Sequence, residues 1–160
     1  MLWLGDLGLM QLDDTATILA YADFFEICDA EQRRLLAFAS ERQRFAPGAV
    51  IYKSGDVPEG AHVLISGRVS TRPDEAGAKP YSTSEPGALI GAMALVLAKP
   101  RPLTITALNG VETLLVPRSA FMKLARQFPD LAERAAQRIE RELASYVGAI
   151  EAVRGRMGKP

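Results

Sequence analysis

Hydrophobic and polar positions along this chain change their period twice. In the first third the period is helical. Asp13 and Asp14 stand before an apolar-rich run, Ala16 to Phe25, and can cap it. The tetrad Asp29-Ala30-Glu31-Gln32 has the form of a capping box, in which the first and last side chains each hold the other's backbone N–H. The helix it opens carries Leu35, Leu36, Phe38 and Ala39 on one side, with Arg33, Arg34, Glu41 and Arg42 elsewhere. Residues 1–44 are therefore predicted to be N-terminal helices.

At Ala46-Pro47-Gly48 the texture becomes one of short apolar runs and turns. The runs are Val50-Ile51-Tyr52, His62 to Ile65, Arg68 to Thr71, Ala88-Leu89-Ile90, Leu103 to Leu108 and Thr113 to Val116. Between them stand Ser54-Gly55-Asp56, Pro58-Glu59-Gly60, Ser66-Gly67, Glu85-Pro86-Gly87 and Asn109-Gly110, with Asp74 to Gly77 as the tip of an exposed hairpin. Many short strands at fairly regular spacing predict a sandwich, jelly roll or barrel over 45–117.

Helix returns over 118–155. Ser119 can cap a short helix ending near Phe128, and Pro129 sits where a second one starts. That second helix is expected to run from Asp130 to about Val153. Leu131, Ala135, Ile139, Leu143, Tyr146, Val147 and Ile150 recur along it at steps of three and four and form one stripe. The stripe fits either an intrachain face or a two-helix seam between copies. The fold class is α+β: a single domain, 1–160, with a double-stranded β-helix (a jelly-roll-like β-roll) flanked by N-terminal helices and a long C-terminal helix.

Composition narrows the function. The 160 residues are 48% hydrophobic and 24% charged with zero formal net charge, which is ordinary for a globular domain and unlike a dedicated nucleic-acid binder. One cysteine, Cys28, allows no intramolecular disulfide, and a cytoplasmic setting is expected. The start, Met1 to Asp6, has no basic region and does not resemble a signal peptide. The longest apolar stretch, Ala88 to Ala98, is too short for a membrane helix, so no membrane association is expected. One histidine, His62, excludes a His-rich metal site, and there is no P-loop, G-x-S-x-G or dinucleotide fingerprint. No enzyme is expected. His62 reads as a strand residue at the sheet surface, and Cys28 as a small residue near the first helices.

Several segments resemble the cyclic nucleotide-binding domain family, of the catabolite activator protein type. They are Phe45 to Asp56, Val63 to Val69, Pro86 to Gly91, Val111 to Val116, Arg118 to Phe121 and Phe128 to Leu131. The resemblance covers roughly residues 24–150. It implies a β-roll in which a ligand phosphate lies by a short helix, neutralised by an arginine, while a glutamate holds the ribose hydroxyl. The long C-terminal helix closes over the base. On that resemblance Gly91, Ala92, Met93, Ala94, Arg101, Pro102, Leu103, Tyr146 and Val147 are the candidate ligand residues. Gly91 and Arg101 keep the pattern. Ala92 stands where the glutamate is expected, Pro102 where a serine or threonine is, and Leu103 where an alanine is.

An unpaired ribose hydroxyl costs about 1–3 kcal/mol and the lost hydroxyl contact about 1 more, together roughly tenfold to a thousandfold in affinity. The resemblance thus implies a stand-alone regulatory module, binding a cyclic nucleotide (cAMP or cGMP) or a related phosphorylated ligand, with no cofactor. A degenerate roll acting as a dimerising scaffold or protein-interaction module is the alternative. Arg101 also fits a solvated loop, while Ala92, Met93, Ala94 and Tyr146 also fit plain packing. A homodimer through the C-terminal helix and a protein partner are expected. DNA binding is not, because about seven residues follow that helix and a helix-turn-helix domain needs far more.

Overall fold

The computed structural model describes residues 14–141. Helix α1 covers residues 14–21, and a 3-10 turn, Asp23–Ile27, follows it. Phe24 and Phe25 on that turn are buried and meet edge to face, with ring centroids 5.3 Å apart. The turn's carbonyls are held by arginines from other helices. Arg33 donates to the carbonyls of Phe25 and Cys28, and Arg134 donates to that of Ile27 at 3.0 Å.

Helix α2, Ala30–Ala39, opens on the capping box the sequence predicts. The Gln32 N–H donates to Asp29 at 2.7 Å, and the Asp29 N–H donates to Gln32 Oε1 at 2.9 Å. Both are otherwise orphan donors of a helix start. Asp29→Ala should therefore cost about 1 kcal/mol. Chemical denaturation would show this as a lower midpoint at unchanged slope.

The helix stops at Ser40, whose backbone is extended and whose hydroxyl donates to the Leu36 carbonyl at 2.6 Å. Here the structure corrects the expected boundary. The N-terminal helices do not reach residue 44; strand β1, Glu41–Phe45, begins at once and pairs antiparallel with the last strand of the roll, Glu41 opposite Leu115 and Phe45 opposite Val111. Arg42, assigned above to a helix, pairs instead with Glu112 across the strands and with Asp14.

The remaining strands are β2 Val50–Tyr52, β3 Gly60–Ser66, β4 Val69–Pro73, β5 Tyr81–Thr83, β6 Leu89–Ile90, β7 Leu103–Ala107 and β8 Val111–Pro117. They form two antiparallel four-stranded sheets, β1-β8-β3-β6 and β2-β7-β4-β5. The architecture is the expected α+β roll. The two sheets meet through Leu64, Val69, Ile105, Ala107 and Val111, which form a core at one end of the roll. Gly67 makes the β3–β4 turn at φ +95°, where a Cβ would sit 2.4 Å from the Gly110 carbonyl oxygen, so a side chain is excluded twice over.

The β1-β8-β3-β6 sheet is covered on its other face as well. Ala61, Val63, Leu114 and Val116 pack there against Leu36 of α2 and Phe121 and Leu124 of α3, Arg118–Gln127. Helix α3 starts one residue before the expected Ser119 cap. Its N-cap is Pro117, without a side-chain cap bond, and the Arg118 N–H donates to the Glu59 carbonyl at 2.8 Å. A loop carbonyl thus satisfies the first of the orphan donors at this helix start.

Residues 129–141 form α4, with Pro129 at its first position as expected. Leu131, Ala135 and Ile139 are buried in the same helical core, so this part of the stripe is an intrachain face. Leu143, Tyr146, Val147 and Ile150 lie outside the described residues. No helix among the described residues is long and apolar enough to cross a membrane.

Candidate functional site

Between the two sheets, next to their shared core, lies a cavity of about 480 Å³. That is within the range of small-molecule sites, roughly 300–1,000 Å³. Its walls come from both sheets. Ile51, Leu89, Ile90, Leu103, Ile105 and Leu115 are the apolar part, and Gln43, His62, Thr71 and Thr83 set polar groups among them. Lys53, Asp56, Glu59 and Arg101 bring charge to the lining. Apolar walls with a few placed polar groups are the usual makeup of a ligand pocket.

The expected site residues divide. Gly91, Ala94, Arg101 and Leu103 line the cavity. Gly91 takes a left-handed conformation, φ 79°, as it leaves β6, and starts the 3-10 turn Ala92–Leu95. The turn winds three residues per turn, which separates its side chains. Ala94 stays at the cavity, whereas Ala92 and Met93 pack toward the helical core. Ala92 also borders a separate depression of about 210 Å³, shared with Tyr21, Asp23 and Gly87. Pro102 is exposed and does not line the cavity; its carbonyl accepts the Asp74 N–H at 2.9 Å, which ties down the β4–β5 hairpin. Tyr146 and Val147 lie outside the described residues.

Arg101 is held by its backbone and left unengaged at its charge. Its N–H donates to Tyr52 Oη at 2.8 Å, and its carbonyl accepts the Gly55 N–H at 3.2 Å. The Tyr52 hydroxyl donates in turn to the Asp56 carbonyl. Among the described residues the Arg101 guanidinium makes no hydrogen bond or ion pair. A permanently charged, five-donor fork on a fixed backbone at a half-buried cavity wall is suited to a phosphate or carboxylate. The sequence places Tyr52 only as a strand residue. Its clamp on Arg101 joins positions 49 apart and leaves no local signal.

His62 departs from expectation. It does not sit at the sheet surface but lines the cavity, half-buried. Along β3 the side chains alternate, with Ala61 and Val63 facing the helices while His62 and Leu64 face the roll interior. One face of this sheet is covered by the helices and the other faces the second sheet and the cavity between them. His62 Nδ1 is 2.9 Å from Thr113 Oγ1, and the Phe45 ring meets the imidazole edge-on at 6.2 Å. Burial holds its pKa down at about 4, so the ring is neutral at pH 7.

Cys28 is buried by the first helices as expected, and burial pushes its thiol up to about 11, which keeps it protonated and unreactive. Among the described residues no group of three or more histidines, cysteines or carboxylates is placed to hold a metal ion.

The family model for the cyclic nucleotide-binding domain matches residues 42–128, more than half of the chain. A curated relative, lysophospholipase nte1 of Aspergillus fumigatus, is 27% identical over 112 residues, 69% of this chain and 7% of that protein. The chain therefore spans a small fraction of that relative's length. The crystal structure of the Thermus thermophilus catabolite activator protein superposes with a TM-score of 0.67 at 23% identity, over 81% of this chain and 62% of that one. The regulatory domain of Toxoplasma gondii PKA, crystallised with cAMP, superposes at 0.66 and 21% identity, over 83% and 52%. At these identities the two structures share the fold.

Proposed function

The chain belongs to the cyclic nucleotide-binding domain family, and on that premise we propose that it is a non-catalytic regulatory module that binds cAMP, cGMP or a related phosphorylated ligand in the cavity between its sheets. The observation that carries this reading is the unengaged guanidinium of Arg101 beside a cavity of about 480 Å³ whose walls mix apolar and polar side chains. An unpaired cation there is a standing donor for a ligand anion. The Toxoplasma regulatory domain of like fold, crystallised with cAMP, supports the choice of ligand class.

The alternative is a roll that binds nothing and dimerises through the C-terminal helix. Leu131, Ala135 and Ile139 belong to the stripe such a dimer would use, yet they are buried in the chain's own core. Those three side chains are therefore not available to such a seam.

Calorimetric titration with cAMP and with cGMP tests it. Binding at micromolar nucleotide is expected for at least one of them. Arg101→Ala should weaken that binding about tenfold to a hundredfold, the worth of hydrogen bonds to a charged group. No heat with either nucleotide at millimolar concentration would overturn the reading.

A further inference from the structure

Besides Arg101, one polar group in the cavity wall is held in a defined orientation with bonding capacity left over. His62 lies on β3 opposite Ile90 of β6, one residue before Gly91, so it stands beside the start of the 3-10 turn. Two contacts fix its ring. The Phe45 ring packs on one side, and Thr113 Oγ1 lies 2.9 Å from Nδ1.

Thr113 also decides which nitrogen carries the proton. It is fully buried on an inner strand of its sheet, and His62 is the hydrogen-bond partner of its hydroxyl among the described residues. A buried hydroxyl hydrogen needs an acceptor, and here Nδ1 is that acceptor. If Nδ1 carried the proton, two donors would face each other or the hydroxyl hydrogen would have no partner. The neutral ring therefore carries its proton on Nε2, which has no partner among the described residues although His62 lines the cavity.

We propose that His62 is a ligand-reading residue of this site, presenting Nε2–H from the cavity wall to an acceptor atom of the bound molecule. The proposal rests on the reading of the cavity as the ligand site. It adds a neutral directional donor to the charged fork of Arg101. The two together select a ligand with an anionic group and, apart from it, an oxygen or ring nitrogen able to accept one hydrogen bond. Because His62 is uncharged at pH 7, it discriminates by geometry and not by net charge.

The experiment uses the fact that His62 is the chain's one histidine, so its imidazole signals are assigned by composition alone. A long-range ¹H–¹⁵N spectrum of the wild-type chain should show the Nε2–H tautomer. On saturation with cAMP the Nε2 and its proton should shift while Nδ1 changes little. In parallel, calorimetry with cAMP should show His62→Phe, which keeps a ring against Phe45 but has no N–H, binding roughly tenfold more weakly. His62→Gln, which keeps a donor, should retain most of the affinity.

Imidazole signals unmoved at saturating cAMP would overturn the role of His62 while leaving the ligand reading intact. So would the Nδ1–H tautomer. Absence of any binding by the wild-type chain would overturn the ligand reading and this role with it. The spectrum is taken on the unmodified chain, so the outcome does not depend on whether the variants fold.

Discussion

Phe121→Ala should lower the unfolding free energy by about 3–5 kcal/mol, the range for emptying a buried aromatic site. Phe121 is 1% exposed. It projects from α3 into the core between the sheet face of Val63, Leu114 and Val116 and the N-terminal helices, with the Phe24 ring 6.3 Å away. Three separate parts of the chain meet at that side chain: the 3-10 turn after α1, the β1-β8-β3-β6 sheet and the last two helices. Neighbours drawn from three directions cannot all close on the gap, so the cavity term adds to the transfer term. Against a typical total of about 5–15 kcal/mol, the loss is a large share of the stability. Urea unfolding followed by far-ultraviolet circular dichroism should show a much lower midpoint at unchanged slope. A loss below about 1 kcal/mol would mean that this core is not closed as described.

The second large effect is on pH. His62 has a folded-state pKa of about 4 against an ordinary 6.5, and burial is the cause. Its folded pKa is depressed, so the unfolded chain takes up the proton first as pH falls. Stability from this group is complete above pH 6.5 and declines as pH drops from 6.5 towards 4. The full loss is on the order of 3 kcal/mol, from about 1.4 kcal/mol per pKa unit. Protonation of Nδ1 would also turn the Thr113 hydroxyl from donor to acceptor and leave its hydrogen without a partner. Urea unfolding at pH 7 and at pH 4.5 should show a fall for the wild-type chain that exceeds the fall for His62→Gln by most of this amount. Carboxylate titration is common to both chains and drops out of the comparison. Equal falls would show that the imidazole is not held neutral by the fold.

The same histidine marks where reading from sequence stops. Six of the roll's strands were legible because the turns between them are written in glycine, proline and acidic residues. The capping box at Asp29 and Gln32 was legible because it is local, closing within three residues. Strand β1 was not, because Glu41 to Arg44 are all polar and show neither an apolar alternation nor a turn before them. The strand is made by the edge of β8, about seventy residues away, and position 41 has no local way to show that.

Of the residues named through the resemblance, Gly91, Ala94, Arg101 and Leu103 line the cavity. The turning of Ala92 and Met93 towards the helices depends on the tight 3-10 winding after Gly91. The cavity face of His62 depends on a sheet lying between the helices and a second sheet, a property no single strand carries. Tyr52 illustrates the same limit: its hydroxyl matters through the backbone of Arg101, and only the closed roll brings the two together.

Arg118 gives this arrangement a wider consequence. Its backbone N–H meets the Glu59 carbonyl, and its Nη1 donates to the carbonyls of Pro58 at 2.7 Å and of Ala94 at 3.3 Å. The loop before β3, the 3-10 turn and the first residue of α3 are thus knotted at one guanidinium, and every acceptor in the knot is main chain. Main-chain carbonyls are present whatever residue occupies positions 58, 59 and 94. The shape of this wall is therefore insured separately from its chemistry. The lining can be rewritten position by position, to suit a different ligand or to discard one, while a single arginine keeps the frame in which any new lining would have to work.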